Sequence, residues 1–151
     1  MGSITYESIN DEWEEDSKID PDDLGNELIK VLAQHTKYLK FLSYINENLL
    51  KYEDELFDME KIKYKYYQLD DGLSEGYLRD KGWDLDPYHG RAKPKTKSDF
   101  DKYYNADSDL KSIKRKINKL KNMRDQIQEI IKMIHQKSFL INNLSRMRGE
   151  A

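Results

Sequence analysis

The sequence contains no cysteine, which excludes disulfides, thiolate metal sites and a cysteine nucleophile, and suits a reducing compartment. Only three prolines and seven glycines occur in 151 residues, so a loop-rich or collagen-like chain is excluded as well. No apolar run approaches the roughly 20 residues that span a bilayer, and the N-terminal segment is acidic where a secretory signal is basic and then apolar. The expectation is therefore no membrane association and a cytoplasmic location. Met1-Gly2-Ser3 is not read as a myristoylation signal, because Tyr6 stands where Ser or Thr is required. Apolar residues are themselves scarce, at 37% against 36% charged, with a mean hydropathy of −0.98. Such a chain builds little core as a lone globule. The balance fits long amphipathic helices that bury one stripe against each other or against further copies, which makes self-association the natural route to stability.

Charge is unevenly placed. Residues 1–27 hold ten acids and one lysine, which leaves a body of +6 over residues 28–151 behind a formal net charge of −3. Residues 91–151 alone carry sixteen Lys or Arg against seven acids, enough for a cationic face toward a polyanion, although charge runs are usually solvated helix faces.

Residues 1–18, with the run Asp11, Glu12, Trp13, Glu14, Glu15, Asp16, show no sustained periodicity and read as a mobile acidic arm. Residues 19–151 read as one helical domain. A first helix over about 21–67 is expected to start with Asp20 as cap and Pro21 in its first turn. Its seam runs Leu24, Leu28, Val31, His35, Tyr38, Leu42, Ile45, Leu49, Tyr52, Leu56 and Met59, at steps of four and three. Residues 70–107, punctuated by Gly72, Gly76, Gly82, Pro87, Gly90 and Pro94, read as an extended linker with a short helix from Ser98. A last helix over about 108–148 carries Ile113, Ile117, Leu120, Ile127, Ile131, Ile134 and Ile141, interrupted by Arg124 and Ser138. Helices of some forty residues run roughly 60 Å, so the fold class is all-α, a hairpin or bundle built to oligomerise.

Chemistry has few vehicles. His35, His89 and His135 lack ligand-spaced partners, and a packed or exposed structural role is favoured over metal binding or catalysis for each. A Walker-type phosphate loop, a GxSxG elbow and an HExxH pair are all missing. No enzyme activity, cofactor or metal is expected. The unusual constellation is Lys61, Ile62, Lys63, Tyr64, Lys65, Tyr66, Tyr67, three cations interleaved with three tyrosines. Single-strand binders use lysines to follow phosphates and rings to stack bases, at about 1–3 kcal/mol per base. Alternatively the tyrosines complete the apolar stripe while the lysines snorkel outward, and the period-two alternation also fits an edge strand. These residues alone leave the readings open. The basic linker residues Arg91, Lys93, Lys95 and Lys97 are further candidates.

Ile19-Asp20, Thr36-Lys37-Tyr38-Leu39, Lys61-x-Lys63 followed by Tyr66-Tyr67 and a glycine, Lys97-Ser98-Asp99, Ala106-Asp107-x-Asp109, Phe139-x-Ile141 and Met147-Arg148 stand in an order and spacing that resemble the UvsY-type recombination mediators of T-even-like bacteriophages. The resemblance implies a ring-shaped homo-oligomer, a hexamer or heptamer, in the cytoplasm of the bacterial host. It implies binding to single-stranded DNA and contacts with the phage recombinase and the phage single-strand-binding protein, the first being loaded in place of the second during recombination, repair and recombination-dependent replication. The family's Lys-x-Arg pair falls on Lys61 and Lys63, so the arginine fork is absent here, and binding is expected to spread over Lys65, Tyr64, Tyr66, Tyr67, Arg91, Lys93 and Lys95. The last helix is implied in assembly, through the apolar residues Ile113 to Ile141. The alternative from a different class is a structural coiled-coil oligomer, or a protein-binding adaptor, without nucleic-acid binding.

Overall fold

The computed structural model describes residues 4–149. Residues 1–3, the tip of the expected arm, and 150–151, the end of the expected helical domain, lie outside the described residues. Among the described residues regular structure is all helical: α1 (Tyr6–Asp16), α2 (Leu24–Tyr67), α3 (Glu75–Lys81), α4 (Lys97–Asn105) and α5 (Ser108–Met147). The chain divides into two compact units, one formed by residues up to Leu50 with Asn118 onward, the other by Lys51–Ile117.

In the first unit the buried side chains of α2 (Leu24, Val31, Tyr38, Ile45, Leu49) and α5 (Met123, Ile127, Ile130, Ile134, Ile141) join Ile9 of α1. Burying each such aliphatic chain contributes about 1.5–3 kcal/mol. The α2 start differs from expectation: Asp20 closes a turn on the Asp22 N–H at 2.9 Å, and Asp23 caps the helix through Asn26 N–H at 3.4 Å. The seams are also displaced. On α5 Met123, Ile130 and Lys137 are buried where Arg124, Ile131 and Ser138 were expected, and on α2 Glu27 and Gln34 are buried in place of Leu28 and His35. The buried positions keep a seven-residue repeat but lie one residue earlier than expected, so the step between the two seam positions is divided differently from the apolar pattern.

The segment read as a mobile acidic arm forms α1 instead. Thr5 and Ser8 make a reciprocal capping box. Ile9, Trp13 and Asp16 share one face, since i, i+4 and i+7 stack along a helix. Ile9 is buried, the Trp13 ring meets Tyr38 edge-on at 5.8 Å, and the Asp16 carboxylate takes the Lys37 ammonium and the Tyr38 hydroxyl. The outward positions Glu7, Asp11 and Glu14 are exposed. An acidic run is thus compatible with a helix whose single inward stripe is apolar.

Of the α5 residues expected between copies, Ile117, Ile127, Ile134 and Ile141 are buried within the chain itself, while Ile113, Leu120 and Ile131 are half-buried. Apolar exposure lies elsewhere in the first unit. Ile29, Leu32, Leu39 and Leu50 line one stripe of α2, and Met133, Leu140 and Met147 recur every seven residues on α5.

The second unit replaces the expected open linker. Tyr66, Tyr67, Leu78, Tyr88 and Phe100 form a buried cluster, with Leu73, Tyr77, Trp83, Tyr103 and Tyr104 packed against it. Ser74 caps α3 and Gly82, at φ 73°, ends it, the left-handed C-cap that glycine adopts without strain. Thr96 caps α4, which matches the short helix expected from Ser98.

Candidate nucleic-acid interface

The end of α2 remains helical through Tyr67, so the edge-strand alternative for residues 61–67 is excluded. Helical spacing then sorts the cluster onto two faces. Lys61, Tyr64 and Lys65 point to solvent, whereas Lys63, Tyr66 and Tyr67 are buried.

Lys63 is held by the protein. Its ammonium lies 2.9 Å from Asp107 Oδ2 and 2.9 Å from Asp109 Oδ2, with a side-chain exposure of 4%. It also sits over the Trp83 ring at 3.7 Å and the Tyr66 ring at 5.3 Å. The same carboxylates accept from Tyr67 OH (2.8 Å, Asp107) and Trp83 Nε1–H (2.8 Å, Asp109). Asp107 Oδ1 meanwhile caps α5 through the Asp109 and Leu110 N–H groups, both at 3.0 Å. Burial alone would raise the Asp107 pKa, but the Leu110 N–H, Lys63 and Tyr67 outweigh it and hold the carboxyl below its ordinary value. Sequence reasoning placed Lys63, Tyr66 and Tyr67 on the ligand; in this structure their ammonium, hydroxyls and ring faces are engaged by the protein. Tyr66 OH donates to the Asp84 carbonyl at 2.6 Å, and its pKa is pushed up to about 12 by burial and then by Asp84. Tyr88 OH donates to the Tyr67 carbonyl, and burial raises the Tyr67 pKa strongly.

The outward face is built differently. Tyr64, 48% exposed, is braced edge-on by Phe100 at 5.2 Å and Tyr104 at 5.9 Å from α4. Tyr104 OH donates to the Glu60 carbonyl at 3.3 Å. The Lys61 ammonium lies 4.1 Å from the Phe57 ring centre. Beyond Tyr67 the chain reverses through Asp70 N–H to Lys65 O (3.0 Å) and Leu69 N–H to Tyr66 O (3.1 Å), a Schellman turn. It places Leu69 at φ 57°, where a leucine is strained. This leaves Gln68 at the helix end, and its carbonyl and side-chain oxygen both accept from Lys93 Nζ at 3.1 Å. One basic linker residue is therefore brought to the end of α2. Arg91, Lys95 and Lys97 are exposed on the same segment, and Lys97 stands one turn before Phe100 on α4. Lys61, Lys65, Arg91, Lys95 and Lys97 form no ion pair among the described residues. Cations at a helix C-terminus also complement its dipole.

Two histidines that looked isolated in sequence, His35 and His135, lie with ring centres 5.3 Å apart; no group of three or more metal-ligating side chains occurs among the described residues. No described helix is long and apolar enough to cross a membrane.

Against this geometry, a family model described as "Recombination, repair and ssDNA binding protein UvsY" matches residues 12–149. The chain belongs to this family. The fold is similar to that of the bacteriophage T4 recombination mediator protein UvsY in three crystal lattices. Lattice type IV gives a TM-score of 0.76 at 18% identity, covering 97% of this chain and 98% of that one. Lattice type II gives 0.71 at 20%, covering 97% of each, and type I gives 0.68 at 20%, covering 94% and 97%. A comparison with curated proteins gave no match. Family membership covers both the aromatic unit and α1 from Glu12 onward, so the segment expected to be a linker belongs to the shared fold.

Proposed function

We propose that this chain is a non-enzymatic recombination mediator that binds single-stranded DNA. It then loads a phage recombinase in place of the single-strand-binding protein during recombination, repair and recombination-dependent replication in the bacterial host. The observation that carries the reading is the exposed Lys61, Tyr64, Lys65 face, with Lys93 tied to the same helix end. It offers cations for phosphates and a braced ring for a base. Arg91 and Lys95 extend the face along the linker, while Lys63, Tyr66 and Tyr67 serve as its frame. Multiplying a small site around a homo-oligomer, a ring of six or seven, supplies affinity without new contacts. The exposed α2 stripe at Ile29, Leu32 and Leu39 and the α5 stripe at Met133, Leu140 and Met147 are the surfaces proposed to meet between copies. The same stripes favour a second reading, a structural coiled-coil oligomer, from which DNA binding separates the mediator.

The test is a fluorescent oligonucleotide titrated at several salt concentrations. Single-strand binding changes log affinity by about 0.7 per unit log salt for each neutralised phosphate. Lys61→Ala with Lys65→Ala is expected to remove about 1.4 from that slope. An unchanged slope rejects the site, and absence of binding by the unaltered chain rejects the mediator in favour of the structural oligomer.

A further inference from the structure

A second cationic surface lies outside the cluster at the end of α2. Between Leu110 and Arg124 the sequence LKSIKRKINKLKNMR carries seven cations and no acid. On α5, Lys111, Lys114 and Arg115 are exposed within the second unit, and none of them forms an ion pair among the described residues. The pattern works against the helix. Lys111 and Arg115 are like charges at i and i+4, which oppose helix formation, and Lys111 stands in the first turn, where the dipole disfavours cations. The neighbouring acids of α2, Glu53, Asp54, Glu55 and Asp58, are exposed and make no ion pair with them. On the side of α5 turned toward α2, Lys116 and Lys51 of α2 both stand against the Tyr52 ring, at 5.5 and 5.7 Å from its centre. The unneutralised cations on the exposed face suit a polyanion that relieves the repulsion.

The geometry points to a second nucleic-acid backbone site on the first turns of α5, in which Lys111, Lys114 and Arg115 neutralise successive phosphates. A protein partner fits the surface poorly. Protein interfaces are depleted in lysine and need an apolar centre, whereas Lys111, Lys114 and Arg115 present an exposed row of cations on α5; nucleic-acid interfaces are polar and strongly positive. Lys111 and Arg115 are separated by a rise of about 6 Å along the helix, so the cations form a short track and not a point. The site deepens the single-strand-binding reading and rests on it. It gives the same protein a second grip, either on another segment of one strand or on a duplex, and both present the same phosphodiester chemistry.

The experiment compares the full chain with Lys111→Gln/Lys114→Gln/Arg115→Gln. Salt-dependent binding of a single-stranded oligonucleotide and of a duplex is measured, together with mass by light scattering. All three positions are exposed on a helix, so folding is retained and is checked by the melting temperature. The expected result is a slope smaller by about 2 on the single strand, or by nearly 3 on the duplex, from about 0.7 and 0.9 per phosphate. The probe that shows the loss identifies the occupant. The variant Lys111→Arg/Lys114→Arg, which keeps the charge, is expected to retain the slope. An unchanged slope on both probes while the unaltered chain binds overturns this site and leaves the Lys61–Lys65 site standing. A slope loss accompanied by a fall in mass assigns the face to a second copy and overturns it too. Binding of neither probe by the unaltered chain removes the underlying reading itself.

Discussion

Each unit buries one lysine, and the two are compensated in different ways. In the second unit Lys63 meets two carboxylates at 2.9 Å and two aromatic faces. In the first, Lys137 of α5 donates mainly to neutral acceptors: the Asp16 carbonyl at 2.6 Å, the Lys18 carbonyl at 3.2 Å and Gln34 Oε1 at 3.3 Å. Its carboxylate partner, Glu27, is 3.8 Å away, and Glu27 Oε2 has no hydrogen-bond partner. Burial accordingly lowers the Lys137 pKa despite Glu27 and Asp16. A buried ion with full partners makes a rigid joint. One held by carbonyls fixes the end of α1 to α2 and α5 but retains an electrostatic penalty. The difference teaches where a buried charge is fully compensated: at the joint that frames the proposed DNA face.

The sharpest way to break the contrast is Lys63→Ala. It leaves the buried Asp107 without its cation, while the half-exposed Asp109 can be solvated, and breaking a buried pair costs about 3–5 kcal/mol. The two tryptophans of the sequence fall one in each unit, Trp13 and Trp83, which allows the units to be followed separately. Urea unfolding of Lys63→Ala in a Trp13→Phe background, read by Trp83 fluorescence, is expected to show the full loss. A midpoint unmoved from that of the background protein would mean that the carboxylates are solvated and the clamp is not formed.

The joint was largely invisible in sequence, for a physical reason. Helical periodicity located α5 almost to the residue and α2 to within three residues at its start, and the Lys61 to Tyr67 cluster marked the proposed site, because both signals are local. Whether Lys63 faces solvent depends on Asp107 and Asp109, more than forty positions away. Spacing within α2 cannot report that. The caps Ser74 and Gly82 did bracket a short helix in the residues read as linker, and Asp107 in the resemblance motif was already at the start of α5. The aromatic side chains between them were the overlooked signal: a mobile connection has no use for Tyr77, Trp83, Tyr88 and Tyr103. In α1 the density of acids masked the apolar stripe of Ile9 and Trp13.

A smaller effect is expected from the other lysine. Lys137→Met keeps the volume but takes the donor from the Lys18 carbonyl and Gln34 Oε1, at about 1–3 kcal/mol for buried groups without partners, while Glu27 keeps Lys30 at 3.2 Å and the Asp16 carbonyl keeps Gln34 Nε2 at 2.9 Å. Trp13 fluorescence in a Trp83→Phe background reads it. Adding Glu27→Leu removes the buried carboxylate, whose remaining partner is Lys30, and is expected to recover part of the loss, since apolar replacement of a buried ion pair is often neutral or better. If the double variant is less stable than Lys137→Met alone, Glu27 contributes through something other than Lys137.

The smallest effect, and the finest discrimination, comes from pH. The Asp107 carboxyl is held below its ordinary value of 3.8. Its contribution is complete above that value and is lost as pH falls through the lower folded one, because the unfolded chain takes up its proton first. Lys137 has the opposite sign. Its pKa lies below the ordinary 10.5, so the penalty is constant while both states are charged and fades as pH rises through the folded value toward 10.5. That rise is best followed below about pH 10, before tyrosine ionisation begins in the unfolded chain; burial and Asp16 raise the Tyr38 pKa, so above this pH Tyr38 costs the fold stability. The Trp83 transition should therefore weaken on acidification and lose that dependence in Asp107→Asn, while the Trp13 transition should strengthen on alkalinisation and lose its slope in Lys137→Met. Identical pH profiles at the two tryptophans would erase the distinction between the buried lysines, and with it the argument that the carboxylate-clamped unit is the rigid one.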